Sequence, residues 1–368
     1  VAGDGTLVEL SLESRSRYEP TKLLGAGGMG EVVLVSDHDI DRKVALKRLL
    51  PTMTDPAVLA RFVDEIRTVG RLEHPNIVPI HDVGVDELGR YFFVMKYVQG
   101  ETLEAIIEKL AAGDPAYLAR YSIEVRIEIF LGLLHALDYA HAQGVVHRDI
   151  KPANVMVGRF GEVVLMDWGI AKPVAAQRDP AAVADGALTE GTGDARARMY
   201  ATRVGSLIGT VPYMSPEQAR GDNHALDARS DLYSAMALFH ELLALRHYLA
   251  DKQTLEEMLE GVRSEEFGFL KLLGIGQRPP GELVHLMVKG FQKDPAQRFQ
   301  SAAELICALH AILEGKVPVQ CHITLTKRSF REMGRLVDRA PWVAFAALLG
   351  LAGTVVFTGA ELVRLAFG

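Results

Sequence analysis

The stretches VVHRDIKPAN (residues 145–154) and VVLMDWG (residues 163–169) decide how the rest of the chain is read. Each opens on an apolar run with the composition of a strand and delivers a carboxylate, Asp149 or Asp167, to the loop beyond it. Between the two acids stand a cation, Lys151, and an amide, Asn154. An aspartate near a hydroxyl accepts its proton, while Asp167 and Asn154 offer hard oxygen ligands suited to magnesium. Lys151 sits where a point charge can meet a transferring phosphoryl group. Together these residues are equipment for in-line phosphoryl transfer, which relies on positioning and electrostatics rather than covalent chemistry.

Outward from this centre, the chain has 368 residues, enough for one large or two ordinary domains. Its 24% charged and 7% aromatic residues are those of an ordinary globular protein. The net charge of −7 leaves no dominant basic face and argues against a nucleic-acid binder. Only Cys307 and Cys321 occur, without metal-ligand spacing, which suits a reducing compartment and no disulfide. No apolar run of the secretory kind opens the chain, and its first residue is Val.

Upstream of the centre, residues 1–17 read as a poorly ordered lead-in. Strand, glycine turn and strand then follow: Leu23 and Leu24, the run Gly25, Ala26, Gly27, Gly28, Met29, Gly30, and residues 32–35. A GxGxxG motif also suits dinucleotide folds, but there a helix follows the glycines and here a strand does. A glycine-tipped hairpin lets backbone N–H groups close over triphosphate oxygens. In the strand VALK (residues 44–47), Ala45 and Lys47 share a face. A helix is expected from an Asp55 cap and Pro56, with Phe62, Ile66 and Val69 along one side and Glu65 beside that stripe. Residues 77–83 and 91–96 read as further strands.

From Glu101 onward the chain reads as helical. Ile123, Ile127, Phe130, Leu134 and Leu137 mark a helix face ending at Gly144, and Asp231 opens an almost wholly apolar helix. Helical stretches are also expected over residues 255–273, 282–291 and 301–313. Between Asp167 and Glu217 lies a segment of about fifty residues, far beyond ordinary loop length.

GxGxxG, VALK, a helix glutamate, HRDIKPAN, DWG, GTVPYMSPE (residues 209–217) and KDPAQRF (residues 293–299) occur in an order that resembles the protein kinase superfamily over residues 18–313. The lysine two places after Asp149 resembles its serine/threonine branch. The resemblance implies an α+β, two-lobed fold, with a β-rich N-lobe (18–97) and a helical C-lobe (98–313). It implies ATP with magnesium, or manganese in its place, and protein substrates. Asp149 would orient and deprotonate the substrate hydroxyl, and Lys151 would stabilise the γ-phosphate. Asn154 and Asp167 would hold the metal; Lys47, paired with Glu65, would hold the α- and β-phosphates. Leu24, Gly25, Ala26, Gly27, Gly28, Met29 and Gly30 would cover the nucleotide. Val32, Ala45 and Met156 would sandwich adenine, with Met95 to Val98 as gatekeeper and hinge. Arg298 would pair with Glu217, and Thr210 would position the catalytic loop.

Arg148, before the base aspartate, implies an activation segment switched by phosphate, with Thr202 as the expected site and Ser206 or Thr192 after it. Trp168 stands where the family usually has Phe and is expected to leave activity intact, while its indole N–H needs a partner when buried. His147, His135 and His141 read as packed structural histidines. The rivals are a pseudokinase scaffold, whose usual sign is loss of Lys47, Asp149, Asn154 or Asp167, and a small-molecule kinase, which the SPE motif and Arg298 disfavour.

Residues 342–360 (WVAFAALLGLAGTVVFTGA) carry no charge and would extend roughly 28 Å as a helix, the span of a bilayer core. Lys327, Arg328, Arg331, Arg335 and Arg339 precede them, so the upstream part is expected on the cytoplasmic side. The plan resembles bacterial eukaryotic-like kinases: a kinase domain, a basic linker (314–341), one membrane helix (342–360) and a short tail (361–368). Either the anchor is C-terminal or the chain has been cut. Ala346, Gly350 and Thr354 form a small-residue row through which a homodimer could pack.

Overall fold

A computed structural model describes residues 17–27, 30–51, 56–168, 172–173, 210–267 and 281–314, with Trp342 and Thr358 standing alone beyond them. The chain divides into two compact units, residues 1–279 with 287–306, and residues 280–286 with 307–368.

The first unit begins with β1 (Tyr18–Ala26), β2 (Gly30–Asp37), β3 (Arg42–Leu49), α1 (Pro56–Val69), β4 (Ile80–Val85) and β5 (Tyr91–Lys96). The five strands form one antiparallel sheet in the order β1-β2-β3-β5-β4. Period-two alternation explains its two faces. Val33, Val35, Val44, Leu46 and Val94 pack together on one, with Tyr18 and Phe92 against them. The register Lys47↔Phe93 and Ala45↔Met95 puts those four residues on the other, where Phe62 of α1 meets Phe93 at a ring separation of 5.4 Å.

One expected strand is shifted. Residues 77–83 were read as continuous, but the strand is Ile80–Val85, and Ile77 makes only an isolated parallel bridge to Leu165. Pro79 explains the break: it has no N–H for a ladder, and its carbonyl is capped by the Lys96 N–H at 3.1 Å.

The helical part also opens differently. Glu101 and Thr102, expected in a helix, belong to β6 (Gly100–Thr102), and α2 (Leu103–Ala111) starts after it, where Thr102 Oγ1 accepts the Ala105 N–H. There follow α3 (Pro115–Arg120), α4 (Ile123–Ala142), β7 (Val145–Val146), β8 (Val155–Gly158), β9 (Val163–Leu165) and β10 (Lys172–Pro173). Strands β6, β8 and β9 make a small sheet, and β7 pairs with β10. Helix α4 ends at Ala142, two residues before Gly144, whose φ of +72° is the left-handed stop that glycine allows.

Beyond these lie α5 (Pro216–Ala219), α6 (Ala228–Ala244), α7 (Leu255–Ser264), α8 (Gly281–Gly290) and α9 (Ala302–Leu313). Helix α6 is capped by Asp227 and begins three residues before Asp231, which was expected to open it. Its apolar length is buried, and Phe239 stacks on Phe130 of α4 at 4.0 Å. Helix α7 stops at Ser264, so the described part of the expected 255–273 helix is shorter, and residues 268–280 lie outside the described ones. In the second unit, Leu283 and Leu309 are fully buried. Cys307 is an exposed free thiol.

Among the described residues, no helix is long and apolar enough to cross a membrane. The expected span at residues 342–360 lies outside them apart from Trp342 and Thr358, as do residues 1–16 and the linker from 315 to 341.

Candidate active site

Strand β3 and helix α1 bring the first charges together. Lys47 Nζ lies 2.8 Å from Glu65 Oε1 and 2.9 Å from Asp167 Oδ1. Glu65 is 5% exposed, on the side of α1 that carries Phe62 and Val69, so its charge is held in place by a protein partner. Burial alone would pull the Lys47 ammonium down. Asp167 and Glu65 outweigh it and hold the group well above the ordinary lysine value. The Asp167 carboxyl is held below the ordinary aspartate value, chiefly by Lys47, against burial, with His147 and Lys151 adding to the effect. Half of the Asp167 side chain stays open to solvent. It is enclosed by charge yet reachable.

The loop after β7 is suspended from a buried acid. Asp231 Oδ2 accepts the His147 N–H and Oδ1 the Arg148 N–H, each at 2.8 Å, and His141 Nε2 lies 2.8 Å from Oδ2. Burial pushes the Asp231 carboxyl up, but His141 and the backbone donors prevail and keep it low. His147 Nε2 donates to the Met166 carbonyl at 3.0 Å, and Nδ1 accepts the Asp149 N–H at 3.2 Å. One imidazole thus ties the Asp149 loop to the residue before Asp167. Arg148 and Asp167 take left-handed backbone angles, φ +71° and +57°. Such angles cost about 1 kcal/mol or more in a non-glycine residue and persist only where surrounding contacts impose them.

Three side chains meet at Asp149. Lys151 Nζ lies 2.9 Å from Oδ2, Asn154 Nδ2 donates to Oδ2 at 3.1 Å and to the Asp149 carbonyl at 2.8 Å, and Thr210 Oγ1 donates to Oδ1 at 3.3 Å. Lys151 Nζ also donates to Thr210 Oγ1 at 2.9 Å. With Nδ2 committed to Asp149, the amide oxygen of Asn154 remains as a hard ligand. The Met166 N–H donates to the Asn154 carbonyl at 2.9 Å, which couples the two loops a second time.

The remaining expected residues differ in how far they are buried. Ala45, Met95 and Val98 are buried, and Val32 and Met156 are half-buried. Leu24, Gly25 and Ala26 are exposed on β1, and Gly27 donates its N–H to the Gly30 carbonyl at 2.8 Å. A Cβ on Gly30 would stand 2.4 Å from the Arg48 carbonyl, so close approach of β3 requires glycine there. Gly28, Met29, Thr192, Thr202 and Ser206 lie outside the described residues.

Arg298 and Glu217 form a buried bidentate pair, at 2.8 and 2.9 Å. All five guanidinium donors are used, since Nε reaches the Gln292 carbonyl and the terminal nitrogens also reach those of Arg229 and Lys293. Ser230 adds a 2.6 Å bond to Glu217. Gln218 Nε2, one residue on, donates to the Arg148 carbonyl at 2.7 Å and so links this anchor to the Asp149 loop. Trp168 is fully buried at 4.6 Å from the His147 ring, and among the described residues its indole N–H finds no acceptor, contrary to what its burial led us to expect.

Two positioning residues were not singled out by sequence reasoning, Asp231 and Gln218. Asp231 had a legible sign: a carboxylate one turn into an apolar helix must find several donors or stay uncharged. Gln218 had none.

The description of protein kinase domains matches residues 18–309. The chain is 36% identical over 339 residues to a probable serine/threonine-protein kinase of Streptomyces coelicolor, covering 89% of this chain and 44% of that protein. It is 30% identical over 348 residues to the serine/threonine-protein kinase PknD of Protochlamydia amoebophila, with 89% and 34% covered. To PknB of Mycobacterium leprae it is 33% identical over 309 residues, with 82% and 44% covered. The chain thus spans less than half the length of these curated relatives. With its sequence matched over most of its length, the chain belongs to the protein kinase domain family.

Proposed function

We propose that this chain is a protein serine/threonine kinase that transfers the γ-phosphate of ATP to a hydroxyl of a protein substrate. The observation that carries the reading is the joined constellation itself: Asp149 held by Lys151, Asn154 and Thr210, and Lys47 bridging Glu65 and Asp167. Serine/threonine specificity is supported by the relatives' names and by Lys151.

Asp149 would receive the substrate hydroxyl, because its carboxylate is fixed from three sides yet keeps lone pairs for an incoming proton. Lys151, held by Asp149 and Thr210, would meet charge developing on the transferred group. Lys47 would fix the α- and β-phosphates, with Glu65 setting its height in the cleft. Two oxygen donors, the half-open Asp167 carboxylate and the Asn154 amide oxygen, fit magnesium, which takes one or two protein ligands and fills its octahedron with phosphate oxygens and water. When bound, the metal would neutralise phosphate charge; manganese would serve in its place. Val32, Ala45 and Met156 would hold adenine, with Met95 and Val98 at its edge.

The test is transfer of radiolabelled phosphate from ATP to a generic basic protein, compared between the wild-type chain and Asp149→Asn. Transfer lost in the variant supports the reading; absence of transfer by both, under magnesium and manganese, would return the chain to the scaffold class.

Regulation and location extend the same proposal. Phosphate on Thr202, with Ser206 or Thr192 secondary, would activate the enzyme; support comes from buried Arg148 beside the base. Active protein without phosphate anywhere in residues 170–214 by mass spectrometry would remove this. The uncharged run 342–360 behind its basic flank supports a single membrane helix in the cell membrane with the kinase domain in the cytoplasm. Its small-residue row supports a homodimer, and self-association unchanged by Gly350→Leu would dismiss it.

A further inference from the structure

Strand β4 is an edge of the five-stranded sheet, and it carries exposed apolar side chains. Val83 and Val85 are 53% and 54% exposed, and Tyr91, across from Val85, is 40% exposed. The register Val83↔Phe93 puts them on the sheet face that α1 covers through Phe62 and Phe93. They continue that face past the helix. The Asp86 N–H donates inward to the Arg90 carbonyl, so by strand alternation Val83 and Val85 turn their backbone groups to the open edge. Among the described residues, only the Val83 N–H is taken there, by its neighbour Asp82 Oδ1. An unprotected apolar edge of this kind is ordinarily charged, shortened or covered.

The chain itself supplies a cover of the right length and pattern. Residues 6–14 read TLVELSLES, with Val8, Leu10 and Leu12 at alternate positions and Glu9, Ser11 and Glu13 between them. Such strict alternation is the signature of a half-buried strand. Side chains of the residues that follow the segment also reach β4, across the opposite face of the sheet. Arg17 Nη1 lies 2.9 Å from Asp82 of β4, and the neighbouring Tyr18 hydroxyl donates to Asp82 at 2.6 Å. Residues 12 to 17 can bridge up to about 17 Å when extended, enough to set residues 8–12 along β4.

We propose that residues 8–12 add a sixth strand to the free edge of β4, with Val8, Leu10 and Leu12 covering Val83, Val85 and Tyr91. The segment would then flank α1, the helix that carries Glu65. The proposal rests on the edge and the segment alone and stands apart from catalysis.

Hydrogen–deuterium exchange of the full chain in detergent tests it, read on peptides spanning residues 80–91. The Val85 amide, which β5 does not hold, is expected to be protected in the full chain. It should exchange at least about tenfold faster after deletion of residues 1–13 or in Leu10→Asp/Leu12→Asp, whose changes lie outside the folded sheet. A disulfide between Leu10→Cys and Val85→Cys, with Cys307 and Cys321 replaced by Ser, should form at subunit dilution. Equal exchange in all three proteins overturns the proposal. So does protection that vanishes on dilution together with a dimer, which would assign the edge to a second copy.

Discussion

Lys47 and Asp167, 120 positions apart in the chain, meet at 2.9 Å between Nζ and Oδ1. The contact links the β3 face to the loop after β9, and the electrostatic influence of Lys151 on Asp167 brings the Asp149 cluster into the same field. The loops that carry the two acids are thus held together, as the bond from the Met166 N–H to the Asn154 carbonyl also shows.

Replacing Lys47 by Met should lower kcat/KM by about 10²-fold or more, the scale for losing a charge aimed at a transferring group. Glu65→Gln should cost less, because Asp167 still holds the ammonium. Steady-state phosphoryl transfer with circular dichroism as a folding control checks both, and an active Lys47→Met enzyme would contradict the assignment.

Thr210→Ala should reduce kcat more than the KM for ATP, by roughly tenfold in kcat, since it removes the hydroxyl that joins Lys151 to Asp149. Thr210→Ser retains that hydroxyl and should recover most of the rate. Equal loss in both variants would show that the methyl group, rather than the bond, matters.

The Glu217–Arg298 pair should make the fold acid-labile. Burial raises the Glu217 pKa, but Arg298 and Ser230 prevail and hold it below the ordinary 4.5. As pH falls from about 5, the unfolded glutamate therefore takes its proton first, and stability declines toward the folded value. Denaturant titrations from pH 6 to 3 should show this slope in the wild type and a shallower one in Glu217→Gln. Arg298→Ala leaves a buried acid alone and should cost about 3–5 kcal/mol at neutral pH.

Trp168→Phe should preserve transfer within about threefold. It deletes a buried N–H that has no acceptor among the described residues, a gain of about 1–3 kcal/mol, but leaves a void where the larger ring stood, a loss of similar size. Thermal melts should therefore move only a few degrees. A large loss of activity would mean that the indole has a role in the Asp167 position.

Much of this molecule was legible in short runs of residues. The alternation in VALK sets Lys47 and Ala45 on one face, Gly144 stops α4 with its left-handed angle, and the order of the motifs carries the family. These are local matters of period, backbone angle and residue chemistry. What only the tertiary structure decided is which distant groups share a proton or a charge. Asp231 receives two backbone donors of a loop some eighty residues before it, and Gln218 reaches the Arg148 carbonyl. Pro79 moves a strand start because the neighbouring Lys96 N–H needs its carbonyl. Such pairings depend on where whole elements dock, and a buried donor or acceptor selects its partner only after packing has excluded water.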